Sequence, residues 1–144
     1  MTPPISGKTL SVKIDRIDHF VLTVADIDLT VADIDATCDF YRRVLGMAVL
    51  TFSDGRRALG FGGQKINLHQ HGREFEPKAA RAAPGSGDFC LTTATPLEDV
   101  VAHLEKSEVA VELGPVERSG ARATLRSIYF RDPDGNLVEV SNER

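Results

Sequence analysis

Glu139 is the residue from which the chemistry of this chain can be read. It stands in the run Asn136-Leu137-Val138-Glu139-Val140-Ser141, directly after Asp132-Pro133-Asp134-Gly135. A proline with its fixed φ, followed by a glycine free to take positive φ, makes a tight reversal, so strand, turn, strand is predicted over Tyr129 to Ser141. Alternation along the second strand puts Asn136, Val138 and Val140 on one face, and Leu137, Glu139 and Ser141 on the other. A carboxylate in mid-strand needs a partner, because burying it unpaired is costly. A metal ion is one such partner, and His19, near the other end of the chain, is a candidate co-ligand.

The elements that must position these residues follow from periodicity and turn chemistry. The first 13 residues, with Pro3, Pro4 and Gly7, are expected to form a loose arm or an early edge strand. Ile17 to Val24 reads as a strand. Ile34, Cys38, Tyr41 and Leu45 recur at helical spacing, so a helix is predicted over Asp35 to Leu45, with Gly46 as its stop. Strands are predicted over Ala48–Phe52, Arg57–Phe61 and Lys65–His71, turning at Ser53-Asp54-Gly55 and Gly62-Gly63. Residues 72 to 87 have no period of their own and read as a connection. The pattern then begins again: a strand at Asp88–Thr93, a helix at Pro96–Lys106, and strands at Val109–Leu113, Leu125–Phe130 and Asn136–Ser141. The helix carries Leu97, Val100, Val101 and Leu104 on one face, and Pro96 suits its first turn. Strand-helix-strand-strand-strand thus occurs twice, as a repeat of architecture and not of residues.

One repeat is literal. Leu22-Thr23-Val24-Ala25-Asp26-Ile27-Asp28 is followed at once by the same seven residues, Leu29 to Asp35. Seven residues are too few for a structural repeat unit. The expectation is that the first copy ends the strand holding His19, the second begins the helix, and the surplus forms a loop.

Strand parity tests whether the chemical residues could meet. Phe20, Leu22 and Val24 oppose His19, Val21 and Thr23. Ile66 and Leu68 oppose Lys65, Asn67, His69 and His71. Phe89 and Leu91 oppose Asp88, Cys90 and Thr92. Val138 and Val140 oppose Glu139. Four strands therefore each offer a histidine or a carboxylate on the face away from the predicted helices, which favours a polar cup. Taken singly, each has a plainer account: His19 as a half-buried strand histidine, Glu139 in a surface ion pair, His69 at a rim, Asp88 in a turn after Ser86-Gly87. His71 and His103 read as solvated. Arg118, Arg122 and Arg126 flank a Ser-Gly-Ala loop and could hold an anionic group or stand as solvated charges.

Bulk composition removes whole classes of function. With 144 residues and 42% hydrophobic content the chain fits one domain with a real core. A net charge of -4 without long runs of one sign argues against nucleic acid and anionic membrane as partners. No apolar run approaches the roughly 20 residues of a membrane helix, and residues 1 to 13 do not resemble a secretory signal. Two cysteines cannot staple a fold of this size, so a reduced, cytoplasmic setting is expected.

These residues carry a family resemblance. The doubled βαβββ pattern, Ile17-Asp18-His19-Phe20-Val21-Leu22-Thr23-Val24, Phe40-Tyr41-Arg42-Arg43-Val44-Leu45-Gly46 and the closing Asp-Pro-Asp-Gly-Asn-Leu-Val-Glu-Val resemble the vicinal oxygen chelate superfamily. That superfamily includes glyoxalase I, fosfomycin and bleomycin resistance proteins, and extradiol dioxygenases. Within it, Gln64 to His69, Glu74 to Ala79 and Ser127 to Pro133 are most similar to the glyoxalase domain-containing protein 5 type. The resemblance spans about residues 14 to 142. It implies an α+β fold of paired βαβββ modules forming a cupped mixed sheet, module one at 14–71, linker at 72–87 and module two at 88–142.

The resemblance also implies a divalent metal in the cup. His19 matches the first-module strand ligand and Glu139 the final-strand carboxylate. Asp88 falls where the second module usually has histidine. Asn67 falls nearest the position that is glutamate in glyoxalase I, with His69 two residues along on the same face. His19, His69 and Glu139 then form the expected metal set, with Asn67 and Asp88 at the substrate, Asp88 as a fourth ligand or a partner behind the ligands being the alternative, and Glu139, or an unbound Asp88, moving a proton. Nitrogen and carboxylate ligands suit Ni(II), Zn(II), Fe(II), Mn(II) or Co(II). The implied function is a metal-dependent, glyoxalase-like lyase or isomerase acting on a small oxygenated substrate, in a homodimer. Two alternatives stand beside it: a non-enzymatic, ligand-sequestering protein of bleomycin-resistance type, and an extradiol-type dioxygenase.

Overall fold

The structure, a computed structural model, describes residues 19–24 and 33–144, with residues 19–24 and Asp33 described by their backbone alone. Two βαβββ modules follow one another. The first comprises β1 (His19–Val24), α1 (Asp33–Leu45), β2 (Ala48–Phe52), β3 (Arg56–Phe61) and β4 (Gln64–Gln70). The second comprises β5 (Asp88–Thr92), α2 (Leu97–Lys106), β6 (Leu113–Ser119), β7 (Thr124–Arg131) and β8 (Leu137–Glu143). Each module is a four-stranded mixed sheet, ordered β1-β4-β3-β2 and β5-β8-β7-β6. In each, the first strand runs parallel to the last, and the remaining pairs are antiparallel.

The turns are built as their residues demand. Ser53, Asp54 and Gly55 take positive φ between β2 and β3, and Gly62 and Gly63 do so between β3 and β4. Asp132 closes the β7–β8 turn: its carboxylate accepts the backbone N–H of Asp134 and of Asn136, each at 2.9 Å, and the Asn136 amide at 2.8 Å. The seven-residue duplication divides as expected. Leu22 to Val24 of the first copy end β1, and Asp33 to Asp35 of the second begin α1. The residues between, like the N-terminal arm, lie outside the described residues.

Apolar faces turn toward the helices and merge into one core. Tyr41 and Val44 of α1 pack with Leu59, Ile66 and Leu68 of the first sheet, and the same cluster takes in Leu97, Leu104, Ile128, Phe130 and Val138 of the second module. The Phe40 and Phe130 rings, 6.4 Å apart, join the modules directly. So does the Tyr41 hydroxyl, which donates to Asp132 at 2.7 Å. Burying these side chains is the main force holding module to module, at about 1.5–3 kcal/mol for each large one.

One element is corrected. The strand expected at Val109–Leu113 lies instead at Leu113–Ser119. Val109 and Val111 pack their side chains against the core without joining the β6 ladder. Gly114-Pro115 falls within β6, where the register shifts between Leu113 and Val116. Proline is tolerated there because β6 is an edge strand, whose outer amides have no ladder partner. The other predicted elements differ at their ends by one or two residues, α1 beginning at Asp33 and β3 at Arg56. Among the described residues no helix is long and apolar enough to cross a membrane.

Candidate functional site

Glu139 sits on the face of the second sheet opposite Val138 and Val140, as parity requires, and two buried hydroxyls surround it. Ser127 Oγ, on β7, donates to Glu139 Oε2 at 2.7 Å. Ser141 Oγ lies 3.3 Å from the same oxygen and 2.6 Å from Ser127 Oγ. Cys90 Sγ, directly across the β5–β8 ladder from Glu139, is 3.4 Å from Ser141 Oγ. Each hydroxyl has one proton to give. Ser127 donating to the carboxylate and Ser141 to Ser127 is one consistent arrangement, and it leaves the thiol to donate to Ser141. Burial pushes the Cys90 thiol pKa up, and the charge of Glu139 adds to it against the Ser141 hydrogen bond. Both serine contacts of Glu139 fall on Oε2.

The first sheet presents a matching face. Asn67 pairs with Val21 two positions after His19 pairs with Lys65, and Glu139 pairs with Cys90 two positions after Asp88 pairs with Leu137. Asn67 therefore stands in the first module where Glu139 stands in the second, and His19 where Asp88 stands. Asn67 Oδ1 is buried and has no hydrogen-bond partner among the described residues. An orphaned buried acceptor costs about 1–3 kcal/mol unless something donates to it or coordinates it. His69, next on this face, meets the Phe75 ring edge-on with centroids 5.8 Å apart. The Arg56 guanidinium lies over the same Phe75 ring, 4.0 Å from its centroid. Burial holds the His69 imidazole below its ordinary pKa; Arg56 and Lys78 act the same way, against Glu74. A neutral imidazole keeps the lone pair a metal needs.

By chemical type these donors suit a divalent ion: an imidazole nitrogen favoured in its neutral form, a carboxylate, and an amide oxygen with no partner among the described residues. The chain does not gather them by itself. His69 lies in one sheet and Glu139 in the other. Among the described residues no group of three His, Cys, Asp or Glu is close enough to hold a metal. The His19 side chain is outside the described residues, and only its place in β1 is given. Asp88 is exposed at the start of β5, where its charge acts on Arg131.

Of the three arginines considered for an anionic group, two are occupied. Arg122 grips Glu143 with two hydrogen bonds of 2.8 and 2.9 Å, and Arg126 reaches Glu98 at 2.6 Å. Arg118 donates to the Tyr129 hydroxyl at 3.0 Å, beside the Glu139 face. His71 is exposed, 3.6 Å from Glu74. His103 is exposed too, yet its Nε2 lies 3.0 Å from the Arg43 carbonyl, and it lines a 620 Å³ cavity between the modules with Phe61, Cys90, Thr92 and Asp99. Sequence reasoning missed Ser127, Ser141 and Arg56. Ser141 was within reach, two residues beyond Glu139 on the same face. Ser127 and Arg56 needed the cross-strand register, which parity within one strand does not supply.

Comparison with known proteins gives the family. The model of the Glyoxalase/Bleomycin resistance protein/Dioxygenase superfamily matches residues 16–140. Virulence protein STM3117 of Salmonella typhimurium is 52% identical over 134 residues, covering 93% of this chain and 88% of that protein. Its crystal structure superposes with a TM-score of 0.85, covering 92% of this chain and 100% of that one at 52% identity. Glyoxalase domain-containing protein RDO1 of Mycosarcoma maydis is 48% identical over 135 residues, covering 94% of this chain and 71% of that protein. Lactoylglutathione lyase from Agrobacterium tumefaciens matches with a TM-score of 0.65 at 25% identity, over 90% of this chain and 94% of its own. Fosfomycin resistance protein FosX from Listeria monocytogenes, solved with Mn(II) and 1S,2S-dihydroxypropylphosphonic acid, shares the fold at 17% identity and a TM-score of 0.58, over 90% of each chain.

Proposed function

The chain belongs to the Glyoxalase/Bleomycin resistance protein/Dioxygenase superfamily, and from that premise we propose that it is a metal-dependent, glyoxalase-like lyase or isomerase acting on a small oxygenated substrate. The observation that carries this reading is the register correspondence of Asn67 with Glu139. The first supplies a buried amide oxygen without a partner among the described residues, the second a carboxylate held by serine hydroxyls. His19, His69 and Glu139 would hold the ion, with Asn67 and Asp88 beside the substrate. RDO1, a glyoxalase domain-containing protein, supports the same subgroup.

A divalent ion bound there supplies Lewis-acid polarisation of a vicinal oxygen pair. The remaining work falls to the chain. Glu139, besides holding the ion, would accept a proton from the substrate, while Ser127 fixes Oε2 and so the direction in which the carboxylate points. Ser141 and Cys90 extend the hydrogen-bonded row behind it. Asn67 orients a donor group of the substrate or lends its oxygen to the ion.

The working unit in this reading is a homodimer. β1 and β5 are both edge strands. A second copy would cover these edges and set the His69 face of one chain against the Glu139 face of the other. Analytical ultracentrifugation should give twice the 15.7 kDa chain mass; a monomer would count against it.

The ligand-sequestering alternative draws on one observation, the 620 Å³ cavity between the modules, which needs no metal. Titration of chelator-stripped protein with Ni(II), Zn(II), Mn(II) and Fe(II) separates the two. Saturable uptake of one ion per site, abolished by His69→Ala, supports the enzyme; no uptake by the wild type transfers the case to sequestration.

A further inference from the structure

The polar face of the first sheet carries two cations, Arg56 and Lys65, that lie over aromatic rings and form no ion pair among the described residues. Arg56 makes no ion pair or hydrogen bond among the described residues, whereas Arg57, Arg122, Arg126 and Arg131 each reach a carboxylate. It is half-buried, and its guanidinium carbon lies 4.0 Å from the Phe75 ring centroid, a placement over the ring from which the N–H edge can still donate. Arg57 pairs with Leu68, so Arg56 comes up beside His69 on the neighbouring strand. The second cation is Lys65. Its ammonium lies 3.9 Å over the Phe52 ring, and Phe52 stands directly across the β2–β3 ladder from Arg56. Lys65 thus leans along the face toward the guanidinium instead of away from it.

Two like charges on one partly desolvated face favour the arrival of a counter-charge. Glu74, the carboxylate whose charge acts on His69, is engaged elsewhere. Its Oε2 accepts the Gly72 N–H at 3.1 Å, and Lys78 lies 3.8 Å from its Oε1. Phe52 and Phe75 give the cations an apolar bed, on which a charge-assisted hydrogen bond is stronger than in open water.

We propose that Arg56, assisted by Lys65, anchors a carboxylate-class anionic group of the substrate beside His69. This deepens the metalloenzyme reading and rests on it. The substrate would carry its oxygenated, reacting part at Asn67 and the ion, and its anionic end at the guanidinium fork. Arg56 is a specificity determinant here, since it selects charge and takes no part in the proton transfer assigned to Glu139.

The test is a comparison of lactate with its neutral isostere lactamide, followed by amide chemical shifts of the metal-loaded protein. Metal content is measured in parallel on wild type, Arg56→Gln and Arg56→Lys. The expected result is that lactate binds the wild type tighter than lactamide, and that Arg56→Gln weakens lactate about tenfold or more with lactamide and metal content unchanged. Arg56→Lys, which keeps the charge and loses the fork, should recover part of the difference. Equal binding of the two probes to wild type, or a preference for lactate that survives in Arg56→Gln, overturns the assignment. Loss of metal uptake by the wild type itself would overturn the metalloenzyme reading instead, and the lactate preference would still report on Arg56.

Discussion

Ser127 Oγ stands 2.7 Å from Glu139 Oε2, and both partners lie on one face of the second sheet, on adjacent strands. Ser127 is fully buried, so its proton has no water to serve and is committed to this row. The contact turns a strand carboxylate into an aimed one. Partners of this kind behind a metal ligand are typically worth 10–100-fold in metal affinity. Ser127→Ala should therefore weaken metal binding by about that factor while costing the fold only about 1 kcal/mol. Ser127→Thr, which keeps the hydroxyl, should recover the affinity. Equal metal affinity in Ser127→Ala and wild type would show that the serine only fills space.

The Tyr41–Asp132 hydrogen bond makes a different prediction, on stability. Tyr41 is buried in the helix of the first module, and Asp132 is buried in the closing turn of the second. Burial, with the neighbouring Asp132 charge, pushes the Tyr41 hydroxyl far above its ordinary pKa, so it stays a donor across the working range. Tyr41→Phe removes one donor from a buried carboxylate that keeps its other partners at the turn. The expected loss is about 2 kcal/mol, read as a drop of several degrees in Tm. An unchanged Tm would mean that the turn holds Asp132 without help from the helix.

His69 makes the pH prediction. Its pKa is depressed in the folded protein, chiefly by burial. Between that depressed value and the ordinary 6.5 the unfolded chain binds more protons than the folded one, so stability rises with pH there. The contribution is complete above 6.5 and is lost as the pH falls through the folded value. Titration of the His69 ring protons by NMR should give a midpoint below 6.5. A midpoint at or above it would remove the argument that the ring is neutral and ready to bind metal.

Much of this molecule was legible in its residues. Gly62-Gly63 and Ser53-Asp54-Gly55 announced their turns because positive φ restricts the choice of residue. Cys38 and Tyr41 fell on the buried face of α1 because helical spacing leaves little freedom. Alternation placed Asn67, His69 and Glu139 on polar faces correctly, because an error of one residue would have buried them and exposed Ile66 or Val138. The misplaced strand shows the limit of that method. Val109 and Val111 alternate like strand residues because they cover the core, while the true β6, with Gly114-Pro115 and Glu117-Arg118-Ser119, is an edge strand whose partner alone makes it a strand.

The site was legible only in part for a related reason. Parity says which way a side chain points within its strand, and nothing about which sheet the strand joins. His69 and Glu139 each took the expected face, yet the faces belong to separate sheets. Ser127 and Arg56 entered only through cross-strand register, a long-range property that no local pattern encodes.

The central claim is that these two faces serve one metal ion. The most direct measurement is the metal content of protein purified without chelator, by elemental mass spectrometry, for wild type, His19→Ala and Glu139→Gln. The account predicts near one equivalent of a transition metal per chain in the wild type and its loss in both variants, although the two residues sit in different modules. Wild-type protein free of metal, or metal retained in full by Glu139→Gln, would contradict it.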